Sequence, residues 1–249
     1  MLRSIRLSIA FLFAFFTFVN FSFSYKDISS KKISSAATDS SSSSLCSEEP
    51  AKEISDIYAE MGLEKTGLSR EVFDLALKGY NNLLKKRLVR NKNILTVIDF
   101  SKPSNQKRLY VIDLKRKKVL LQSLVAHGRN SGLEYASNFS NEIDSHKSSL
   151  GFYITLNTYS GDHGYALKLK GCEKGFNNKA YDRAIVIHGS EYVTEQFLKS
   201  NGFLGRSFGC PALPEKINKK VIDVIKNGSC LFLYHPTKKY LLTSPVLHG

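Results

Sequence analysis

Apolar residues change their spacing several times along this chain, and each spacing predicts a different element. The first is a nearly unbroken apolar run of 13 residues from Leu7 to Val19. A bilayer-spanning helix needs about 20 such residues. Arg3 and Arg6 precede the run, and the small-x-small triplet Ser22-Phe23-Ser24 follows it. This arrangement predicts a signal peptide over 1–24 and an exported protein, with an uncleaved membrane anchor as the alternative. Apolar residues then nearly vanish: "SSKKISSAATDSSSSSLCS" at 29–47 cannot bury enough surface to offset ordering entropy, so 25–47 reads as a flexible linker. Helical spacing follows over 48–90. Ser47 precedes Glu48, Glu49 and Pro50, and "ISDIYAEMGL" continues to about Gly62. Ser69 is placed to cap a second helix, where Val72, Phe73, Ala76, Leu77, Tyr80, Leu83 and Leu84 recur at three- and four-residue steps.

From Ile94 the spacing becomes strand-like, with β-branched residues in short alternating or continuous runs. The strand candidates are "ILTVIDF", "RLYVIDL", "KVLLQSLVAHG", "GFYITLNTY", "YALKLKG", "AIVIHG" and "CLFLYH", with a hairpin turn at "KRKK". "EQFLKS" and "PEKINKKVIDVIKNG" read as helices, the second ended by Gly228. The expected fold class is mainly β with helical additions, a β-sandwich or barrel over 91–249 preceded by two short N-terminal helices.

Charge narrows the setting. The formal net charge is +14, and 34 basic against 22 acidic side chains remain beyond the leader. Such an excess favours anionic surroundings. The basic residues are scattered without an aromatic-interleaved stripe, which with export argues against nucleic acid, and "KKRLVRNK" reads as a solvated surface. The four cysteines, Cys46, Cys172, Cys210 and Cys230, show no CxxC or zinc-like spacing. Cys46 is too far from the apolar run to suit lipid attachment. Cys172 and Cys230 are candidates for a disulfide, which spacing does not decide.

The segment "AIVIHGSEYVTEQFLKSNGFLGRSFGCPAL" carries the candidate chemistry. A buried-type strand delivers His188 at its end, Gly189 follows, and Cys210 comes 22 positions later in a Gly-rich turn. A thiol of ordinary pKa, about 8.5, needs help to ionise near neutral pH. An imidazole within reach supplies it and later protonates a leaving amine. Gly209 permits close backbone approach, and N–H groups around Phe208, Gly209 and Cys210 are candidate oxyanion donors. A structural thiol and a merely hydrogen-bonded histidine are the competing reading. Weaker candidates are His127 in "VAHGRNSG", cleft-lining or loop-capping; His163 and Tyr165 in "SGDHGYALKL"; and Arg129 and Arg206 as carboxylate binders or surface arginines.

"IVIHGSEYV" followed by "GRSFGCPAL" resembles the active-site signature of the L,D-transpeptidase catalytic domain of murein enzymes. "VIDFSKPSNQKRLYVIDL", "LVAHGRNSG", "FSNEIDSHKSSLGFYITLNTYSGDHGYALKL" and "DRAIVIHG" resemble one branch of it, and the similarity spans about residues 66–236. The resemblance implies a β-rich fold and peptidoglycan stem peptides as substrate. It implies an acceptor amine on another stem or a protein, no metal or cofactor, and an envelope location. It makes Cys210 the nucleophile and His188 the base, with Ser207, Phe208 and Gly209 in the cysteine turn and Gly189 behind the histidine. The chain departs from the commoner signature in having Phe208 where a histidine stands and Pro211-Ala212-Leu213 after the cysteine. The orienter of His188 is left unassigned. A non-enzymatic peptidoglycan-binding protein and a cysteine amidase or endopeptidase are the alternatives.

Overall fold

A computed structural model describes residues 57–162 and 164–249. The predicted leader, the linker, Cys46, the start of the first helix and His163 lie outside the described residues. The remainder of that first helix is visible over residues 57–60, and the chain leaves it at Gly62 in a left-handed conformation.

The strands β1 (Ile94–Asp99), β2 (Leu109–Asp113), β3 (Lys118–Ser123), β4 (Gly151–Gly161), β5 (Gly164–Gly171), β6 (Val186–Ser190), β7 (Ala212–Pro214) and β8 (Cys230–Tyr234) form one sheet, ordered β3-β2-β1-β8-β4-β5-β6-β7. Neighbours are antiparallel except β1–β8 and β6–β7, which are parallel. Every residue of β1, β2 and β8 is buried, as continuous apolar runs in a doubly covered sheet require.

The two edge strands are brought together beyond β3. There Ala126 N–H donates to the Ala212 carbonyl of β7 (2.9 Å), and Gly128 bridges to Ser207. The sheet is thus a nearly closed barrel, the second of the two expected architectures. Ala126, Val193, Leu204 and Ala212 form a small apolar cluster at this closure.

Helix α1 (Arg70–Lys85) begins as the sequence predicts, with Ser69 Oγ accepting from Val72 N–H at 3.3 Å. Its buried stripe joins the same core as the barrel strands. Gly79 sits where a Cβ would lie 2.0 Å from Phe152 Cζ, and Phe152 is stacked on Phe232 with ring centroids 4.1 Å apart. A mid-helix glycine, normally unfavourable, is what lets α1 lie on β4. Helices α2 (Glu195–Asn201), α3 (Glu215–Ile225) and α4 (Lys238–Thr243) complete the described fold, and α3 buries Asn218, Val221, Ile222 and Ile225. Gly228 does not end α3. The helix stops at Lys226, and Gly228 instead donates its N–H to the Thr155 carbonyl of β4 at 2.8 Å.

Cys172 and Cys230 are both free. They flank β4 on opposite sides, since Ile154 pairs with Cys230 on one edge and with Lys170 on the other. Two strand spacings separate them, about 9.5 Å, beyond disulfide reach.

Candidate active site

Strand β6 brings His188 to the closure, and its parallel pairing with β7 sets His188 beside Ala212. Cys210 lies two residues before that register point, in the turn that leads into β7. A Cβ at Gly189 would lie 3.1 Å from Asn218 Cβ on α3. By strand alternation Gly189 faces the helix and His188 the opposite side. His188 is buried, and its Nδ1 lies 2.9 Å from the Gly189 carbonyl. A carbonyl only accepts, so Nδ1 carries the proton and Nε2 is the basic nitrogen of the neutral ring. The Gly189 carbonyl thus fixes the tautomer of this ring.

The Cys210 sulfur accepts from Val186 N–H at 3.4 Å and faces the Ala184 carbonyl at 3.8 Å. Burial raises its pKa, opposed by the Val186 N–H and the positive charge of Arg183. The turn before it is tied by Ser207, whose hydroxyl donates to the Cys210 carbonyl (2.6 Å) and accepts from Gly209 N–H (3.0 Å). This corrects one expectation: the Gly209 N–H is committed to Ser207. Phe208 and Cys210 remain as N–H donors of the turn with no partner among the described residues. Gly209 contributes conformation, with φ of 122° and a Cβ position 2.8 Å from the Lys147 carbonyl.

The weaker candidates separate. His127 is fully buried. Its main-chain carbonyl accepts from Ser207 N–H at 3.0 Å, while its ring is built into the core. Arg108, also fully buried, donates to the Val125 and Lys102 carbonyls and, at 2.8 Å, to His127 Nδ1. An arginine has no acceptor, so His127 is neutral with its proton on Nε2, aimed at the Gly132 carbonyl 3.3 Å away. Burial and Arg108 hold the His127 pKa down to about 3. Tyr165 lies on the α3 side, its hydroxyl donating to Asp223 at 2.8 Å. It is not brought to Cys210. Arg206 reaches the Gly132 carbonyl at 3.3 Å and covers the Phe203 ring. Arg129 lies over the Phe208 ring, 5.7 Å from its centroid. Phe208 is 63% exposed and packs on His146 with centroids 4.4 Å apart. Together they make an aromatic and cationic rim beside the cysteine turn.

Four further residues stand at the site without having been picked out individually from the sequence. Ser148 Oγ donates to the Gly209 carbonyl (3.2 Å) and accepts from Gly128 N–H (3.0 Å). Tyr192 sits near Cys210, where burial and the sulfur push its pKa up. His146 and Arg183 complete the group; all four stand inside stretches that resemble the family, yet none was singled out as a candidate. The arginines of "KKRLVRNK" instead line a separate cavity of about 700 Å³ with Lys170 and Cys172, which none of the site residues borders. Cys172 has the Glu173 carboxylate nearby, and burial drives its thiol up to about 12.

A family model described as the L,D-transpeptidase catalytic domain matches residues 64–234. The chain belongs to this family. Solved structures similar to this L,D-transpeptidase-family chain include the L,D-transpeptidase from Mycobacterium smegmatis, at 13% identity and a TM-score of 0.36, covering 57% of this chain and 59% of that one. The helical cell shape determining protein Pgp2 from Campylobacter jejuni is 13% identical with a TM-score of 0.38, over 63% and 53% of the two chains. Bd1075 from Bdellovibrio bacteriovorus is 16% identical with a TM-score of 0.36, over 57% and 48%. The chain thus spans about three fifths or less of these proteins' lengths. No curated protein matches it.

Proposed function

We propose that this protein is an exported cysteine acyltransferase of peptidoglycan, an L,D-transpeptidase acting on tetrapeptide stems. The observation that supports the reading is that the Cys210 sulfur packs on β6 through the Val186 N–H, two residues before His188, while His188 pairs with Ala212, two residues after Cys210, and its ring is held in the Nδ1–H tautomer. In the proposed reaction the Cys210 proton passes to His188 Nε2. The thiolate attacks the carbonyl of the L-centre of diaminopimelate, forming a C–S bond and an oxyanion within reach of the Phe208 and Cys210 N–H groups. Collapse breaks the C–N bond, and His188 returns the proton to the departing D-alanine amine. An acceptor amine then attacks the thioester and the sulfur leaves; water in its place gives an L,D-carboxypeptidase.

The test is incubation with a disaccharide-tetrapeptide and mass analysis of protein and products. A thioester adduct on Cys210 and released D-alanine are expected, with neither in Cys210→Ala. An adduct that persists in that variant removes Cys210 from the role. Inert substrate with a reactive thiol moves the function to another bond. A carbapenem is expected to acylate Cys210 in the wild-type protein.

A further inference from the structure

Arg183 stands in the loop before β6 and is half-buried. Its guanidinium donates to the Ser140 and Lys147 carbonyls (2.9 and 2.7 Å) and to the Ser149 and Ser145 hydroxyls. All four acceptors lie on the 140–149 segment. That segment is pressed against the cysteine turn, where Ser148 Oγ holds the Gly209 carbonyl. A Cβ at Gly209 would lie 3.2 Å from Arg183 Nη2 and 2.8 Å from the Lys147 carbonyl. The guanidinium is thus against the residue preceding the nucleophile, and its hydrogen bonds are made to neutral groups. No ion pair neutralises it among the described residues.

We infer that Arg183 is a positioning residue for Cys210: it clamps the 140–149 segment onto the cysteine turn and supplies a fixed positive charge that favours the thiolate. The inference rests on reading Cys210 as the nucleophile. Burial opposes ionisation of the thiol, and Arg183 acts against that burial; burial likewise lowers the Arg183 pKa, opposed by Tyr153, Cys210 and Glu142, and the guanidinium stays charged. Tyr192, a neutral phenol, also lies near the sulfur, and His188 follows on β6 two residues after the Val186 that contacts it. In the folded protein Arg183 therefore supplies the permanent charge that the imidazole supplies only after taking the proton. An opposite charge within about 4–6 Å shifts a pKa by a unit or more, at least tenfold in thiolate fraction.

The test is the pH profile of Cys210 alkylation by iodoacetamide, resolved by peptide mass spectrometry so that the other cysteines are counted separately. It needs no murein substrate, so failure of the proposed transpeptidation leaves it readable. Arg183→Met is expected to alkylate about tenfold more slowly near neutral pH, with the profile moved to higher pH. Arg183→Lys keeps the charge but not the four-donor fork; its profile is expected to stay near the wild-type one although its melting temperature falls. Should Arg183→Met fail to fold, Arg183→Gln removes the charge while retaining amide donors. A neutral variant that superimposes on wild type, or a Lys variant shifted as far as the neutral one, overturns the inference.

Discussion

The Arg108–His127 pair makes barrel closure sensitive to acid. His127 has an ordinary pKa of 6.5 and is held down to about 3 in the folded protein. The unfolded chain therefore binds a proton between these values and the folded chain does not. Stability rises with pH through that window and is lost as pH falls below about 6.5. Near pH 4.5 the unfolded histidine is two units below its pKa and the folded one still neutral. That single group removes about 2–3 kcal/mol relative to neutral pH, a large share of a typical folding free energy. His127→Asn isolates the effect. Its Oδ1 can accept from Arg108 where Nδ1 does, but it does not titrate. At neutral pH the variant is less stable by about 1–3 kcal/mol, because the ring's packing and the hydrogen bond to Gly132 are lost. The assay is urea unfolding followed by far-ultraviolet circular dichroism, at a series of pH values from about 7 to 4.5. The wild-type free energy is expected to fall more steeply, so that the gap between the proteins narrows or closes. Parallel pH dependences would refute the assignment of a neutral, Arg108-bonded His127. The same acid step is expected to loosen the cysteine turn, because Ser207 N–H is bonded to the His127 carbonyl.

Gly209→Ala is expected to cost about 1–3 kcal/mol, since φ is 122° and the new methyl meets the Lys147 carbonyl; thermal melting gives the loss, and Cys210 alkylation should slow with it. Gly79→Ala gains about 1 kcal/mol of helix propensity but must displace the stacked Phe152 ring, at about 1–3 kcal/mol, so its melting temperature is expected to fall. Phe208→Ala removes an exposed ring and is expected to change stability by no more than about 0.5 kcal/mol. Its effect should appear in KM for a stem peptide, and an unchanged KM would take the rim out of substrate binding.

The strands were readable because each is a short run of β-branched and aromatic residues, and a fully buried strand leaves that mark without help from its neighbours. β7 was not. It is only Ala212–Pro214, flanked by Pro211, and becomes a strand because it pairs with His188 and Ala126, contacts that local sequence does not contain. The candidate histidines show the same division. His127 and His188 each end an apolar run before a glycine, so the sequence treats them alike. What separates them is Arg108, delivered from the start of β2, against the Gly189 carbonyl, delivered by the next residue. Tyr165 shares the face of Leu167 and Leu169 on β5, both core residues. A period-two reading could have turned it from the histidine side, but Asp223 of α3, its partner, was beyond local reach.

Phe208 is one of the places where the chain departs from the commoner signature it resembles, and the structure says which part of the site that departure touches. The cysteine turn is held from behind and below: by Ser207 on the Cys210 carbonyl, Ser148 on the Gly209 carbonyl, and the main chain of His127 and Arg129 on Ser207. None of these bonds uses the side chain at 208, which stands out in solvent against His146 and Arg129. A ring with no hydrogen-bonding atom is therefore tolerated at 208 at no cost to the sulfur's placement. Two residues before Cys210, an exposed aromatic face flanked by a guanidinium presents a different surface to solvent from an imidazole. The departure thus changes the exposed rim of the site, while the groups at the thiol, Val186 and Arg183, are set by parts of the chain that the substitution does not reach.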